Sequence, residues 1–357
     1  MSNENTLKLN KLPAPTFRYL KMNYAEAAEA AYTSYTPKVQ SLEGAEITEN
    51  KDISAILTGC GEELTELLSR CGIPATEITA KATGAAVKFD LSFEGDRPLA
   101  ARFEVKAPAG GDITVTQFIR SSESGRGAVQ TLLSAEEGAK IHLIQVICCG
   151  ADFELINDIG TSQQDRAAVE ITQIYLSGRE TIAGIRAGLE GYKAEYRSDI
   201  AYLLKDSEKL DLNLLASHKG RKTLTEINAR GVLADTAQKI FRGTIDFLTG
   251  ASGAKGAESE EVLMMNENVV NKTVPLILCA EEDVEGSHGA SIGKPDENHV
   301  FYMMSRGLSR EEIYRIMARA KLEAVMRRID DPQTLAEIER AIGGAETDDQ
   351  ERIDSEG

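Results

Sequence analysis

A single histidine stands in a setting that suits metal binding. His288 lies in the segment from Asp283 to Ala290, which contains two glycines and begins with carboxylates. Glycines let the backbone approach a ligand closely, and a neutral imidazole is a competent ligand for transition metals. Cys279, nine residues earlier, adds a candidate thiolate. We take His288 and Cys279 as candidate metal ligands, beside the alternative that both are structural or incidental.

The motifs of common active sites are absent. The glycine-rich run from Gly250 to Gly256 does not end in the Gly-Lys-Ser/Thr that cradles a phosphate and magnesium, so it is better interpreted as a turn. The sequence contains no nucleophile elbow and no His-Glu-x-x-His zinc helix. These motifs therefore give no support for an enzyme.

Length, composition and charge narrow the class of protein. The 357 residues are 42% hydrophobic and 27% charged, which is typical of a globular chain with a sizeable core. A net charge of −17 argues against binding nucleic acid or an anionic membrane, because both need a surplus of Lys and Arg on one face. No apolar run reaches the roughly 18 residues that span a bilayer, and Met1 to Asn10 lacks the apolar core of a signal peptide. With five cysteines that do not form a disulfide framework, these features predict a cytoplasmic protein with reduced thiols.

The spacing of apolar residues changes along the chain and divides it into regions. We predict an N-terminal helical region over 1–83, a β core over 84–294 and a C-terminal helical region over 295–343. The remaining residues, 344–357, hold the acidic run from Glu346 to Glu356 and are predicted to be a solvated tail.

The helical prediction near the N-terminus rests on two segments. Asn23 is a candidate cap for the Ala- and Glu-rich stretch from Tyr24 to Tyr35. Asp52 is a candidate cap for a second helix, in which apolar residues from Ile53 to Leu68 fall at helical spacing.

The β core is indicated by many short alternating runs separated by turn residues. In the run from Phe241 to Phe247, Arg242, Thr244 and Asp246 face one way and the residues between them the other, which is a period of two. Short strands without obvious intervening helices suggest a sandwich, a barrel or a solenoid. The spacing from Leu210 onward is roughly compatible with the coils of a parallel β-helix, although no strict repeat appears.

Helix signals return after Pro295. Asp296 to Arg306 is predicted to form one helix, with Gly307 as its C-terminal cap. Ser309 followed by Glu312 forms a capping box for the next helix. Pro332 opens a last short helix. We expect the apolar stripe of the middle helix to consist of Ile313, Ile316, Met317, Ala320 and Ala324.

Several segments together resemble the SufB/SufD family of iron–sulfur cluster assembly proteins, over most of the chain and closer to SufD. Leu12 to Asn23 is similar to a segment found early in SufD-type chains. Phe241 to Phe247, followed by Glu258 to Glu260, looks like the family's core. The most specific similarity runs through Asn271 to Pro275, Glu282 to Gly293, Phe301, Tyr302 and Ser305 to Gly307.

This resemblance implies a fold and a set of partners. The fold is mainly β, a right-handed parallel β-helix flanked by helical regions at both ends. The partners are a SufC-type ABC ATPase, docked on the C-terminal helical region, and a SufB-type paralogue or a second copy of the chain at the end of the β-helix. SufC would hydrolyse the ATP, in keeping with the missing P-loop. No cofactor would be permanently bound, but iron or a nascent cluster would be held transiently at the subunit interface that His288 faces.

Three positions depart from the family pattern. In an ungapped alignment the scaffold cysteine of SufB falls on Glu260, and the SufB carboxylate after the matching histidine falls on Gly289. Both departures favour SufD. SufD chains often have a cysteine where this chain has Gly286. We therefore expect a partner to supply thiolates, unless Cys279 contributes.

Two other functions stay open at this point. The chain could be a purely structural subunit that docks SufC without contacting metal. It could also be a β-helix enzyme acting on polysaccharide, but such sites stack sugar rings on aromatic side chains, and this chain has no Trp and only 5% aromatic residues.

Overall fold

The computed structural model describes residues 6–340 and residue 342, and most of these form a parallel β-solenoid of about eight turns. The chain first makes five short strands, a short 3-10 helix (Arg18–Leu20) and one α-helix. These are β1 (Thr6–Leu9), β2 (Ala25–Ala28), β3 (Thr33–Ser34), β4 (Lys38–Glu43), β5 (Ala45–Asn50) and α1 (Glu62–Arg70).

The solenoid then alternates between two sheets, so that each coil contributes one strand to each. The first sheet contains β6 (Ala75–Ala80), β8 (Leu99–Ala107), β10 (Ser124–Ala135), β12 (Asp152–Gln163), β14 (Glu180–Leu189), β16 (Lys209–His218), β18 (Gln238–Phe247) and β20 (Val270–Cys279). The second sheet contains β7 (Ala85–Phe93), β9 (Asp112–Ser121), β11 (Lys140–Cys148), β13 (Ala168–Ser177), β15 (Glu195–Leu204), β17 (Leu224–Leu233), β19 (Ala254–Met264) and β21 (Val284–Gly293). The mainly β solenoid that the resemblance implied is confirmed, with helices toward its ends.

Alternation of side chains explains why these strands close around a core. In β7, Val87, Phe89 and Leu91 are fully buried, and the residues between them are only half-buried. The buried set points into the lumen between the two sheets, as the period of two requires. Pairing between coils is parallel and in register, so that in the lumen Phe103 lies beside Thr131 and Thr131 beside Ile159. Equivalent lumen positions therefore stack along the axis of the solenoid.

The two ends of the solenoid differ. At the N-terminal end, β5 pairs with β6 and β4 pairs with β7, both antiparallel, so the first strand of each sheet has a neighbour on both sides. At the C-terminal end, β20 pairs with β18 and β21 with β19. Within the part of the chain that the structure describes, no strand covers the other edge of β20 or β21.

The prediction of a mainly helical N-terminal region is wrong, because this region contains mostly strands and only one α-helix. Tyr24 to Tyr35 holds β2 and β3 instead of a helix, because Ala25–Ala28 pairs with Thr6–Leu9 and packs on the outer face of the first sheet. The second predicted helix starts only at Glu62. The residues before it run across the first sheet, where Gly59 lies against Gly184 and the amide of Cys60 donates to the Asp158 carboxylate (2.8 Å).

The C-terminal helices follow their predicted signals. They are α2 (Glu297–Ser305), α3 (Arg310–Met326) and α4 (332–340). Asp296 caps α2, and the capping box of Ser309 and Glu312 at the start of α3 is present. No helix among residues 6–340 and 342 is long and apolar enough to cross a bilayer. The predicted acidic tail lies outside the described residues.

The buried stripe of α3 differs from the predicted one. Ile313 is buried as expected, but Ile316 is 50% exposed. The buried face of α3 and the residues after it is shifted toward Leu322, Val325 and Met326, which pack on the outer face of the second sheet. Salt bridges fix the same contact, as between Lys321 and Glu261 (2.7 Å). The helix therefore turns part of its predicted apolar face to solvent.

Gly59→Ala should destabilise the fold strongly. A Cβ at position 59 would overlap the backbone of Gly184 and Ile185, which cannot move without breaking the ladder. We expect the free energy of unfolding in urea to fall by about 3 kcal/mol. Gly293→Ala is the matched control, because nothing lies within 4 Å of the Cβ it would add. Equal stability of the two variants would contradict the close approach at Gly59.

Candidate functional site

His288 lies on the last coil of the solenoid, at its open end. It stands in the middle of β21, beside Glu258 of β19 in the parallel register. Its neighbour two residues earlier, Gly286, faces Phe247 and Ile277 inside the lumen, so His288 has the same inward orientation. The side chain is nevertheless exposed, because no further coil covers it within the described residues. His288 is therefore a lumen residue open to solvent or to a partner.

A buried ion pair lies one coil below His288. The Lys239 ammonium donates to Oε1 of Glu260 and, at 3.3 Å, to the hydroxyl of Thr273. That hydroxyl donates in turn to Oε2 of Glu260 at 2.7 Å. Lys239 is 0% exposed, and burial lowers the pKa of its ammonium although Glu260 opposes the shift. The three side chains form a closed hydrogen-bonded group in which both charges are compensated.

Glu258 shares the lumen with this pair but has no such partner. It is 5% exposed, and none of the described residues makes a hydrogen bond or salt bridge with its carboxylate. Burial raises the pKa of Glu258 to about 7, and the neighbouring charge of Glu260 adds to the shift while Lys239 reduces it. The carboxylate extends across the lumen to Gly243, where a Cβ would overlap it. The glycine at position 243 thus provides the space that the Glu258 carboxylate fills.

Cys279 is on the same coil as His288 but not beside it. It ends β20, is exposed, and its thiol donates to the carbonyl oxygen of Glu281 at 3.1 Å. The turn after Cys279 leads to Val284, and His288 lies four residues further, about 13 Å along the strand. Among the described residues, no three His, Cys, Asp or Glu side chains converge on one point that could hold a metal ion. This chain therefore presents donors at its open end without enclosing an ion by itself.

Glu258 and Lys239 belong to this site, although the sequence patterns do not predict them as site residues. A usable signal was present, because Glu258, Glu260 and Val262 occupy alternate positions of one strand. Charged residues on the same face as a core valine point into the lumen. The family resemblance includes Glu258 and Glu260 as part of a similar segment and Glu260 also as the position of a missing cysteine, and Lys239 lies 21 residues from Glu260 in sequence.

Comparison with known proteins agrees with this architecture. The family model for the SUF system FeS cluster assembly, SufBD core domain, matches residues 92–321. The chain is 33% identical to the iron–sulfur cluster assembly protein SufD of Bacillus subtilis (strain 168) over 129 residues, which is 35% of this chain and 30% of the relative. It is 22% identical over 182 residues to a chloroplastic SufBD family protein of Arabidopsis thaliana, covering 51% of this chain and 33% of the relative. A SufBD family protein of Pyrococcus horikoshii is 34% identical over 104 residues, covering 29% and 23%. The chain spans about a third or less of the length of these curated relatives.

Lys239→Met should leave Glu260 buried without its counter-charge. Removing one partner of a buried ion pair costs about 3 to 5 kcal/mol of unfolding free energy, so we expect a clear drop in the urea midpoint. The double variant Lys239→Met/Glu260→Gln should recover much of the loss, because Gln can still accept from Thr273.

The exposed pair of Lys255 and Glu285, 2.8 Å apart on neighbouring strands, offers a control for this prediction. Lys255→Met should change the stability by about 0.5 kcal/mol or less, as surface pairs do. Equal losses for Lys239→Met and Lys255→Met would show that the lumen pair is not desolvated.

Proposed function

Because this chain belongs to the SufB/SufD family of SUF iron–sulfur cluster assembly proteins, and is closer to SufD, we propose that it is a non-enzymatic, SufD-like scaffold subunit of a SUF complex. The observation that supports this role best is the open coil at the end of the solenoid, where a lumen histidine and two strand edges stay uncovered within the described residues. The complex would act in the cytoplasm. Its cargo, iron and sulfide, is a substrate of assembly and no resident cofactor of this chain.

The open end would bind a SufB-type paralogue or a second copy of the chain. The outer edges of β20 and β21 carry backbone N–H and C=O groups that no described strand pairs with. Such edges favour the addition of another strand. Ile277 and Ile292 are 36% and 45% exposed on these strands and would be buried by the partner. Pairing here would also enclose His288.

The C-terminal helices would bind a SufC-type ATPase. Three large apolar side chains of α2 are exposed, with Phe301 at 74%, Tyr302 at 55% and Met304 at 42%, and Ile316 of α3 is 50% exposed. A group of exposed apolar side chains of this kind is typical of a protein interface. ATP hydrolysis would take place in that partner, since this chain lacks a P-loop. Movement of the ATPase would then act on the solenoid through α3, which packs on the second sheet.

His288 would be a ligand for iron or a nascent cluster, and Cys279 is the thiol that this chain offers on the same coil. Most thiolates would come from the partner, because Glu260 stands where SufB has its scaffold cysteine. A purely structural docking subunit is the second candidate. It is favoured by the lack of three converging metal donors among the described residues.

His288→Ala tests the ligand role. In a complex reconstituted anaerobically with SufB-type and SufC-type partners, iron and sulfide, we expect the yield of cluster, followed by visible absorption, to fall about tenfold or more. Cys279→Ser should have a smaller effect. His299→Ala is the matched control, because His299 is an exposed histidine of α2 that pairs with Asp296 at 3.2 Å. Unchanged cluster yield and iron binding in His288→Ala would leave the structural subunit as the better proposal.

Phe301→Ala tests the docking of the ATPase. Loss of an exposed aromatic anchor should weaken binding of the SufC-type partner about tenfold or more, measured by calorimetry, without lowering the stability of the isolated chain. Phe17→Ala is a suitable control, because Phe17 is 72% exposed but belongs to the N-terminal loop, on the outer face of the first sheet. Equal affinity for Phe301→Ala and the unmodified chain would place the ATPase elsewhere.

A further inference from the structure

We infer that Glu258 is a second metal ligand at the open end, so that Glu258 and His288 together offer a divalent cation a carboxylate oxygen and an imidazole nitrogen. The inference rests on the ligand role proposed for His288. It adds a donor inside the lumen, a residue that the sequence names only as part of a segment similar to the family and not as a ligand.

The geometry of the ladder brings the two side chains together. Glu258 and His288 are direct partners in the parallel register of β19 and β21, and both face the lumen. Neighbouring strands lie about 4.8 Å apart. Bonds from a metal ion to carboxylate oxygen and imidazole nitrogen are each about 2.1 Å long. One ion between the Glu258 and His288 side chains would therefore be within bonding distance of both after small adjustments of their rotamers.

The carboxylate of Glu258 has no counter-charge of its own. The Lys239 ammonium is already engaged by Glu260 and Thr273. Glu258 stays 5% exposed without a hydrogen-bonded or ionic partner among the described residues. Buried carboxylates are normally paired or coordinate a metal, because an isolated buried charge is costly. A divalent ion at the mouth of the lumen would supply the counter-charge.

The surroundings leave room for an ion. On the lumen face of β21 the residues on either side of His288 are Gly286 and Ala290. Neither has a side chain long enough to cover the imidazole. Gly243 accommodates the Glu258 carboxylate from the opposite sheet. Water or a partner at the open end can therefore complete the coordination shell above His288.

The donor set indicates the class of metal. One carboxylate oxygen and one imidazole nitrogen suit hard to borderline divalent ions, such as Mn²⁺ and Fe²⁺, better than the soft ions that prefer thiolates.

Binding of Mn²⁺ to the full chain, followed by electron paramagnetic resonance, tests the inference. The unmodified chain should bind one ion at millimolar concentration or below. Glu258→Gln and His288→Ala should each weaken binding about tenfold or more. Gly243→Ala should also weaken it, because the added Cβ displaces the Glu258 carboxylate without removing a donor.

Glu285→Gln is the control, because Glu285 is an exposed carboxylate of the same strand that pairs with Lys255. It should leave Mn²⁺ binding unchanged. Urea unfolding of each variant checks that the fold is intact, and Glu258→Gln should be at least as stable as the unmodified chain, since it removes a buried charge.

The outcomes separate this inference from the proposed function. Full Mn²⁺ affinity in Glu258→Gln, or no binding by the unmodified chain at millimolar Mn²⁺, overturns the role of Glu258. Loss of binding in His288→Ala alone keeps the ligand role of His288 and rejects that of Glu258. Copurification with SufB-type and SufC-type partners, measured on the same variants, tests the scaffold role independently of the metal.

Discussion

Every coil of this protein depends on its neighbours for its backbone hydrogen bonds. A strand of a parallel ladder donates and accepts hydrogen bonds on both edges, and a solenoid provides the partners by stacking similar coils. The first and last coils have a neighbouring coil on one side only. Here the N-terminal end is closed by β4 and β5, each pairing with one sheet. The C-terminal end has no such cover among the described residues, and the candidate metal donor stands there. The uncovered end is thus a direct consequence of how the ladder is built and where the chain closes it.

The N-terminal residues contribute by covering the outside of the first sheet. Asn10 is fully buried, and its amide donates to Asp211 (2.6 Å) and to the carbonyl oxygen of Ala183 (3.2 Å). The guanidinium of Arg242 reaches the same Asp211 and donates to the carbonyl oxygen of Met22 at 2.5 Å. These contacts join residues up to 220 positions apart in sequence. They hold the N-terminal segment against the coils that precede the open end, so the segment braces the region that a partner would meet.

The sequence could predict those parts of the fold that depend on residues close to one another along the chain. The period of two in Phe241 to Phe247 and the capping box of Ser309 and Glu312 need only neighbouring residues, and both are present in the structure. Local propensity predicts a helix for Tyr24 to Tyr35, because Ala and Glu favour helices in isolation. Its strands exist because Thr6–Leu9 and the first sheet offer pairing and burial, which local propensity does not reveal.

Of the candidate site, too, only the features with local sequence signals could be predicted. Glycines around His288 made it stand out, but the environment of Glu258 arises from residues on other strands. Gly243 and Lys239 come from the facing sheet, and nothing in their local sequence marks them. A family resemblance helped with the overall architecture and directed attention to Glu260 as a missing cysteine. It did not indicate that Glu258 lacks a partner, because that fact depends on which side chains meet across the lumen.

The polar groups inside the lumen change character along its axis. In the middle coils Gln117, Gln145 and Gln173 form a buried ladder, each amide donating to the preceding one at 2.7 Å. These groups are neutral, so they need no counter-charge, and only Oε1 of Gln173, at the end of this ladder, lacks a hydrogen-bond partner among the three side chains. Near the open end the lumen carries Lys239, Glu258 and Glu260 instead, and the charge of Glu258 has no protein partner among the described residues. Such a carboxylate is neutralised either by a proton, as its raised pKa allows, or by a cation, and a cation can enter at the final coil, which no further coil covers among the described residues. The same end that leaves the ladder unpaired therefore also gives a cation access to the unpaired carboxylate.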